Sequence, residues 1–418
     1  MMDESTLRST GKICIVYVRY IEDNEPKTSY YGLLDLYGDD TAKNIVKRLN
    51  CLWTKDDLKP TNSCWLSTDN ASTFTGANEG VIAKLRNQLS IDYLKLNTCV
   101  AHSFALVGSQ ASYNSKTLNN KIPVLSESIM KVESVISKIY NYFNKSCPRQ
   151  LKLKNWQNFT EMPELKFKRI FDIRWSSIRD CIRPIIVNVQ PGSQALFACL
   201  QEAIDDYNST NVERECAKDL LNEILNDEFL FLLHMHHDLH ESVLGPITKP
   251  MQNDHLSYFN LMETIKEKTS ILKGWTFESP TATDPALADY LELTKTNSFG
   301  AFKIVKDDRE KLSNNCLEHI NRLFEELDRR FSSSSVQENP SILFDPQYLI
   351  EHKKKISSNT YGRSALDFVR KKYRNFSDFD FIAVRNEWES LKASLIDYID
   401  YIALDYSPKN VLEKFSFT

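Results

Sequence analysis

The residues best suited to chemistry are Asp3 and Asp69, each an acid at the tip of a segment that reads as a β-strand. Asp3 lies in Met1-Met2-Asp3-Glu4-Ser5-Thr6, and Asp69 in Ser67-Thr68-Asp69-Asn70-Ala71-Ser72 at the end of an apolar stretch. Two carboxylates on neighbouring strands suit metal-dependent phosphodiester chemistry. They hold two divalent cations about 3.5–4 Å apart, which stabilise the attacking and leaving oxygens of an in-line displacement. Mg2+ or Mn2+ would be the cofactor of such a site. Each acid has a competitor: Asp-Asn is common turn chemistry, and Glu4 stands beside Asp3 as a second acid for the same position.

Three further groups carry chemical potential. Cys99 and His102 have the spacing of two zinc ligands, but no second ligand pair follows at finger-like spacing. A buried thiol with a hydrogen-bonded imidazole is the plainer account of that pair. Arg174-Trp175 offers either a core ring or a base-stacking ring beside a phosphate-binding guanidinium. His234, His236, His237 and His240 follow Phe229-Leu230-Phe231-Leu232-Leu233, which reads as a packed helix with its histidines on the polar side. His236 and His240 share one helical face, so metal binding is the sharper alternative there. Lys353-Lys354-Lys355 and Arg370-Lys371-Lys372-Tyr373-Arg374 read as solvated faces, with phosphate contact or nuclear import as their functional reading.

The elements that must position these residues begin with strands. Lys12–Tyr20 is a β-branched run, and Ser29–Tyr37 pairs with it as a hairpin across the polar Glu22–Lys27 segment. Asp39-Asp40-Thr41 caps a helix that buries Ile45, Leu49 and Leu52. Cys64–Asp69 is a short strand, Gly76–Leu89 an amphipathic helix, and Leu94–Val100 a strand leading into a helix through Phe104. This is the element order of an RNase H-like core, in which the first and fourth strands lie side by side and would bring Asp3 and Asp69 together. From about residue 121 the pattern is helical: Leu125, Ile129, Val132, Ile136, Ile139 and Phe143 form one apolar stripe, as do Trp388, Leu391, Leu395, Ile399 and Ile402. Ser332–Ser335 reads as a linker.

The ordered series resembles the hAT-type DNA transposases, in the branch known as domesticated host proteins of animal genomes. It runs through Asp3–Thr6, Val18–Ile21, Thr68–Ser72 with Gly76, Gly80 and Val81, then Cys99/His102, then Arg174-Trp175. The resemblance is tight over the first 200 residues or so and general beyond them. It implies an α/β plus all-α fold: an RNase H-like mixed sheet core with a large helical insertion domain. Residues 1–120 would be the core with its first strand shortened, and 121–184 the helices and Arg-Trp segment that complete it. Residues 185–380 would be the insertion and 381–418 a C-terminal helix. The resemblance also implies ancestral metal ligands at Asp3 and Asp69, and nucleic-acid contacts at Cys99, His102, Arg174 and Trp175.

The family also needs a third acid, a Glu on a helix after the insertion, in the region that forms its dimer. Glu387-Trp388-Glu389 precedes that place in the family's order, and Glu413-Lys414-Phe415-Ser416-Phe417 is only a superficial echo of the family's segment. The expectation is a chain shortened at both ends, without the family's dimer segment or zinc finger, and a DDE remnant rather than an enzyme. Its role would be nucleic-acid binding or chromatin association. The alternatives are a protein-interaction scaffold built on the helical insertion, or an active metal-dependent transposase or nuclease whose third acid goes unrecognised.

Composition bounds these readings. The 418 residues suffice for two or more domains, and a hydrophobic fraction of 42% supports a packed core. A net charge of −4 gives no global attraction to DNA, so binding would rest on a local basic face. Nine scattered cysteines without a CxxC pair suit a reducing compartment, and no apolar run approaches a membrane span. The expected partners are DNA or proteins and not a membrane. The location is intracellular, with the nucleus favoured by the resemblance.

Overall fold

The computed structural model describes residues 1–6, 11–23, 25–114, 122–123, 127–170, 177–252, 258–275, 285–331, 343, 346–376 and 379–404. The chain forms a mixed α/β part and a helical part. Two compact units divide it: Met1–Ser103 with Asp254–Asn260 and Ser332–Thr418, and Phe104–Asn253 with Leu261–Phe331.

In the first unit, β1 (Met2–Thr6), β2 (Lys12–Glu22) and β3 (Glu25–Asp35) form an antiparallel sheet in that spatial order. Met2 faces Val16 at one end of the β1/β2 ladder and Thr6 faces Lys12 at the other. The hairpin expected from the β-branched run therefore forms, with a register shift between Val16 and Tyr17. Helix α1 (Ala42–Lys55) starts at Thr41, whose hydroxyl accepts from Asn44 N at 3.3 Å, the N-cap that Asp39-Asp40-Thr41 announces. β4 (Trp65–Thr68) and β5 (Lys95–Thr98) pair in parallel on either side of helix α2 (Val81–Leu89). β1 packs beside β4.

One apolar core unites these strands. Met2, Cys14, Val16 and Leu34 from the first three strands, with Leu36 just after β3, meet Leu66 of β4, Ile45, Val46 and Leu49 of α1, and Val81, Ile82 and Leu85 of α2. The two-residue period of the strands and the 3.6-residue period of the helices put these side chains on a shared interior face. A second cluster joins Leu349, Ile356, Tyr361, Trp388, Leu395 and Ile399, in which the helix Phe381–Leu404 buries Trp388 against Tyr361 at 5.9 Å.

The second unit is helical. The apolar stripe from Ile129 to Phe143 lies in the helix Glu127–Asn144, while Leu125 lies outside the described residues. Helix Asp227–Asp238 is apolar almost all round, as a helix enclosed by others must be. It continues into a π-helical turn over Leu239–Leu244. Among the described residues no helix is long and apolar enough to cross a membrane. The Ser332–Ser335 run lies outside the described residues.

Candidate functional site

Strand pleating sorts the two acids next to Met2. Met2 is 1% exposed and points into the core, so Glu4 shares its side and Asp3 faces the other way, into solvent. Glu4 is held by Lys12 Nζ at 3.2 Å, and Lys12 also pairs with Asp40. Of the two candidates, Asp3 is the one turned away from that ion-pair cluster. Asp69 stands one residue beyond β4, whose Leu66 and Thr68 are buried, and is half-buried itself. Its Oδ1 accepts from Ala71 N at 3.0 Å, an Asx turn that lets the chain leave the strand and enter the short helix Ser72–Thr75. The turn role and the site role therefore meet in one side chain, one oxygen being engaged locally.

The ends of β4 and β5 are tied together. Cys99 N donates to Thr68 O at 3.0 Å, Ser103 N to Cys99 O at 2.9 Å, and Asn70 Nδ2 to Ser103 Oγ at 2.7 Å. Asp69, Asn70, Cys99 and His102 thus lie at one edge of the parallel pair, at the start of helix α3 (Val100–Ser112). Such an edge, where strands deliver their carboxyl ends to a helix N-terminus, is where open α/β sheets place ligands. Cys99 is exposed and His102 half-buried, so the expectation of a buried thiol is corrected: the residue follows the strand's last position and turns outward. Arg174 and Trp175 lie outside the described residues.

Do these residues fit a pair of divalent cations? Asp3 and Asp69 belong to or follow strands that touch across two separate sheets, but among the described residues no group of three or more His, Cys, Asp or Glu side chains is arranged to hold a metal ion. Glu389 pairs with Lys392 at 2.7 Å, in the helix that buries Trp388, and Glu413 lies outside the described residues. Two carboxylates, one of them committed to a turn, do not make up a two-metal centre, and no catalytic step follows from them.

The histidine run departs from its expected polar side. His234, His236 and His240 are buried, and His319 of the helix Arg309–Phe331 joins them, with its ring 5.8 Å from that of His236. His234 Nδ1 lies 2.6 Å from Leu230 O and its ring stacks on Tyr290 at 4.7 Å. Asp238 accepts from Ala286 N at 3.2 Å and Leu287 N at 2.8 Å, capping the helix Pro285–Leu293. The cluster is interior structure. Sequence spacing gave no sign of its fourth histidine, more than a whole helix away.

Comparison of the chain with models of protein families finds no match, and comparison with curated proteins finds none.

Proposed function

We propose that the chain is a transposase-derived protein of hAT type, with an RNase H-like core carrying a large helical insertion. It binds nucleic acid, in the nucleus, without strand-transfer activity. The observation that carries this reading is the packing of β1 beside β4, with β4 parallel to β5 and β1–β2–β3 antiparallel. Although β1 and β4 belong to separate hydrogen-bonded sheets, their contact supports this reading by bringing the strands of Asp3 and Asp69 near one another. Among the described residues no third acid joins Asp3 and Asp69, in keeping with binding rather than cleavage. The cations Mg2+ or Mn2+ belong to the ancestral chemistry, with Asp3 and Asp69 as what remains of their ligands.

In this reading Cys99 and His102, at the edge beside Asp69, contact the nucleic-acid backbone, while Trp175 stacks on an unpaired base and Arg174 meets a phosphate. The test is fluorescence anisotropy of the full chain with a labelled DNA hairpin across a salt series. Wild type is expected to bind, with affinity falling steeply as salt rises, because each phosphate contact releases counterions. Arg174→Ala/Trp175→Ala is expected to weaken binding roughly tenfold or more, the cost of a stacked base and a phosphate contact. Salt-independent binding, or a double variant indistinguishable from wild type, would contradict this assignment and favour a protein-interaction scaffold.

A further inference from the structure

A second cluster of chemistry-bearing residues lies at the opposite end of the β4/β5 pair from Asp69, a strand's length or about 13 Å away. Trp65, the first residue of β4, is 51% exposed. Its neighbour across the parallel ladder is Lys95, whose ammonium lies 4.9 Å from the centre of the indole ring. Arg86 of α2 is anchored beside them, donating to Leu94 O from Nε at 2.9 Å and from a terminal nitrogen at 2.7 Å. The helix Arg363–Tyr373 brings its basic last turn to the same place. Lys372 Nζ donates to Asp92 O at 2.8 Å, and Tyr93 packs against Tyr373 at 6.5 Å and Phe376 at 5.4 Å. Arg370, Lys371 and Arg374 are exposed around that turn.

The cations at a helix C-terminus have an ordinary explanation in the macrodipole. That explanation covers Arg86 too, in the last turn of α2, but it does not reach Lys95, which comes from a strand, nor does it account for two helix ends and a strand converging on one indole. Burial, with Arg86 and Lys95 adding repulsion, lowers the affinity of Lys372 for its proton. The acid in the group is Asp92, whose carboxylate lies 3.4 Å from Asn375 Nδ2. Like charges gathered from three elements beside a half-exposed indole oppose folding electrostatically, and a polyanion with flat faces relieves that repulsion.

We propose that this end of the β4/β5 pair is a second nucleic-acid contact, binding an unpaired strand with a base on Trp65 and phosphates on Lys95, Lys372 and the exposed cations of the helix end. It rests on the reading of the chain as a nucleic-acid-binding protein, but none of its residues belongs to the edge beside Asp69. The indole is sequence-tolerant, since every base has a π-face, and the lysines read backbone charge. Both DNA and RNA strands satisfy this chemistry. A duplex satisfies only its phosphate part.

The test uses the full chain, with fluorescein-labelled single-stranded DNA, single-stranded RNA and duplex DNA of one length. Trp65→Ala is expected to weaken both single strands roughly tenfold, with duplex affinity changed less than about twofold. Trp65→Phe, which keeps an aromatic face and controls for folding, is expected to restore single-strand binding. Lys95→Gln/Lys372→Gln is expected to reduce the slope of log affinity against log salt by about 1.4 for single strands, about 0.7 per phosphate contact. If both variants bind single strands as wild type does while Arg174→Ala/Trp175→Ala weakens hairpin binding, this second contact is overturned and the proposed function stands. If wild type binds no nucleic acid, both are overturned. Equal loss of single-strand and duplex affinity in Trp65→Ala also overturns the base-stacking assignment.

Discussion

Asp227→Ala is expected to destabilise the helical unit by about 3–5 kcal/mol, the usual cost of removing one partner of a buried ion pair. The side chain of Asp227 has no exposed surface, yet burial is outweighed there. Desolvation alone would raise its carboxyl pKa, but hydrogen bonds from Arg309 and Tyr290 hold it below the usual value. Arg309 donates to it from Nε at 3.1 Å and from a terminal nitrogen at 3.0 Å, and Tyr290 from its hydroxyl at 2.5 Å. The same guanidinium donates to Thr294 Oγ1 at 2.6 Å, and Asp307 N donates to the carboxylate at 3.3 Å. Asp227 is also the first residue of its helix, where a negative charge meets the positive end of the macrodipole. Truncation strands a half-buried guanidinium and a buried phenol. Urea unfolding of Asp227→Ala, Arg309→Met and the double variant checks the coupling. The double variant should be little worse than Asp227→Ala, since no charge is then left alone. Additive losses would show the network to be unimportant.

Acid is expected to unfold the same unit well above the pH at which its surface carboxylates protonate. Burial lowers the pKa of His234 and His236 to about 4, of His319 to about 3, and of His240 well below the ordinary value. The folded pKa lies below the unfolded one, so between these values the unfolded chain binds protons that the folded chain refuses. Stability is therefore complete above about pH 6.5 and falls as pH drops towards about 4, at up to about 1.4 kcal/mol per histidine per pH unit. From pH 7 to pH 5.5 the four together cost on the order of 4 kcal/mol. Among the described residues neither ring nitrogen of His319 has a hydrogen-bond partner, although both are buried. His319→Leu should consequently remove one proton from the acid dependence without lowering stability at pH 7, since an unsatisfied buried donor is lost with it. Thermal unfolding at several pH values measures both effects. A midpoint flat between pH 7 and pH 5.5, or an unchanged slope in His319→Leu, would contradict the burial argument.

Neither network was legible in the sequence, and the reason is physical. The ion pair joins Asp227 to Arg309 and Tyr290 in separate helices, and the histidine cluster depends on His319 arriving from the helix Arg309–Phe331. Such contacts are set by how helices pack, which local spacing does not encode. The apolar run Phe229–Leu233 announced a packed helix correctly, but a helix enclosed on all sides has no polar face for its histidines.

Local signals fared better. Thr41 caps its helix as its residue type suggests, and the β-branched run Lys12–Tyr20 pairs with the segment after Glu22. Asp69 shows why a single residue can support two readings: its carboxylate closes a turn through one oxygen while the strand before it touches that of Asp3. Trp65 falls in the segment Cys64–Asp69, whose sequence says no more than short strand. Only the pairing of β4 with β5 brings Lys95 over its face.

Metal-dependent cleavage of a labelled DNA hairpin tests the central claim most directly, comparing wild type with Asp3→Ala/Asp69→Ala in Mg2+ and in Mn2+. The expected result is salt-dependent binding by wild type with no cleavage in either metal. Nicking by wild type that disappears in the double variant would contradict it, because a further ligand would then complete a working centre around Asp3 and Asp69.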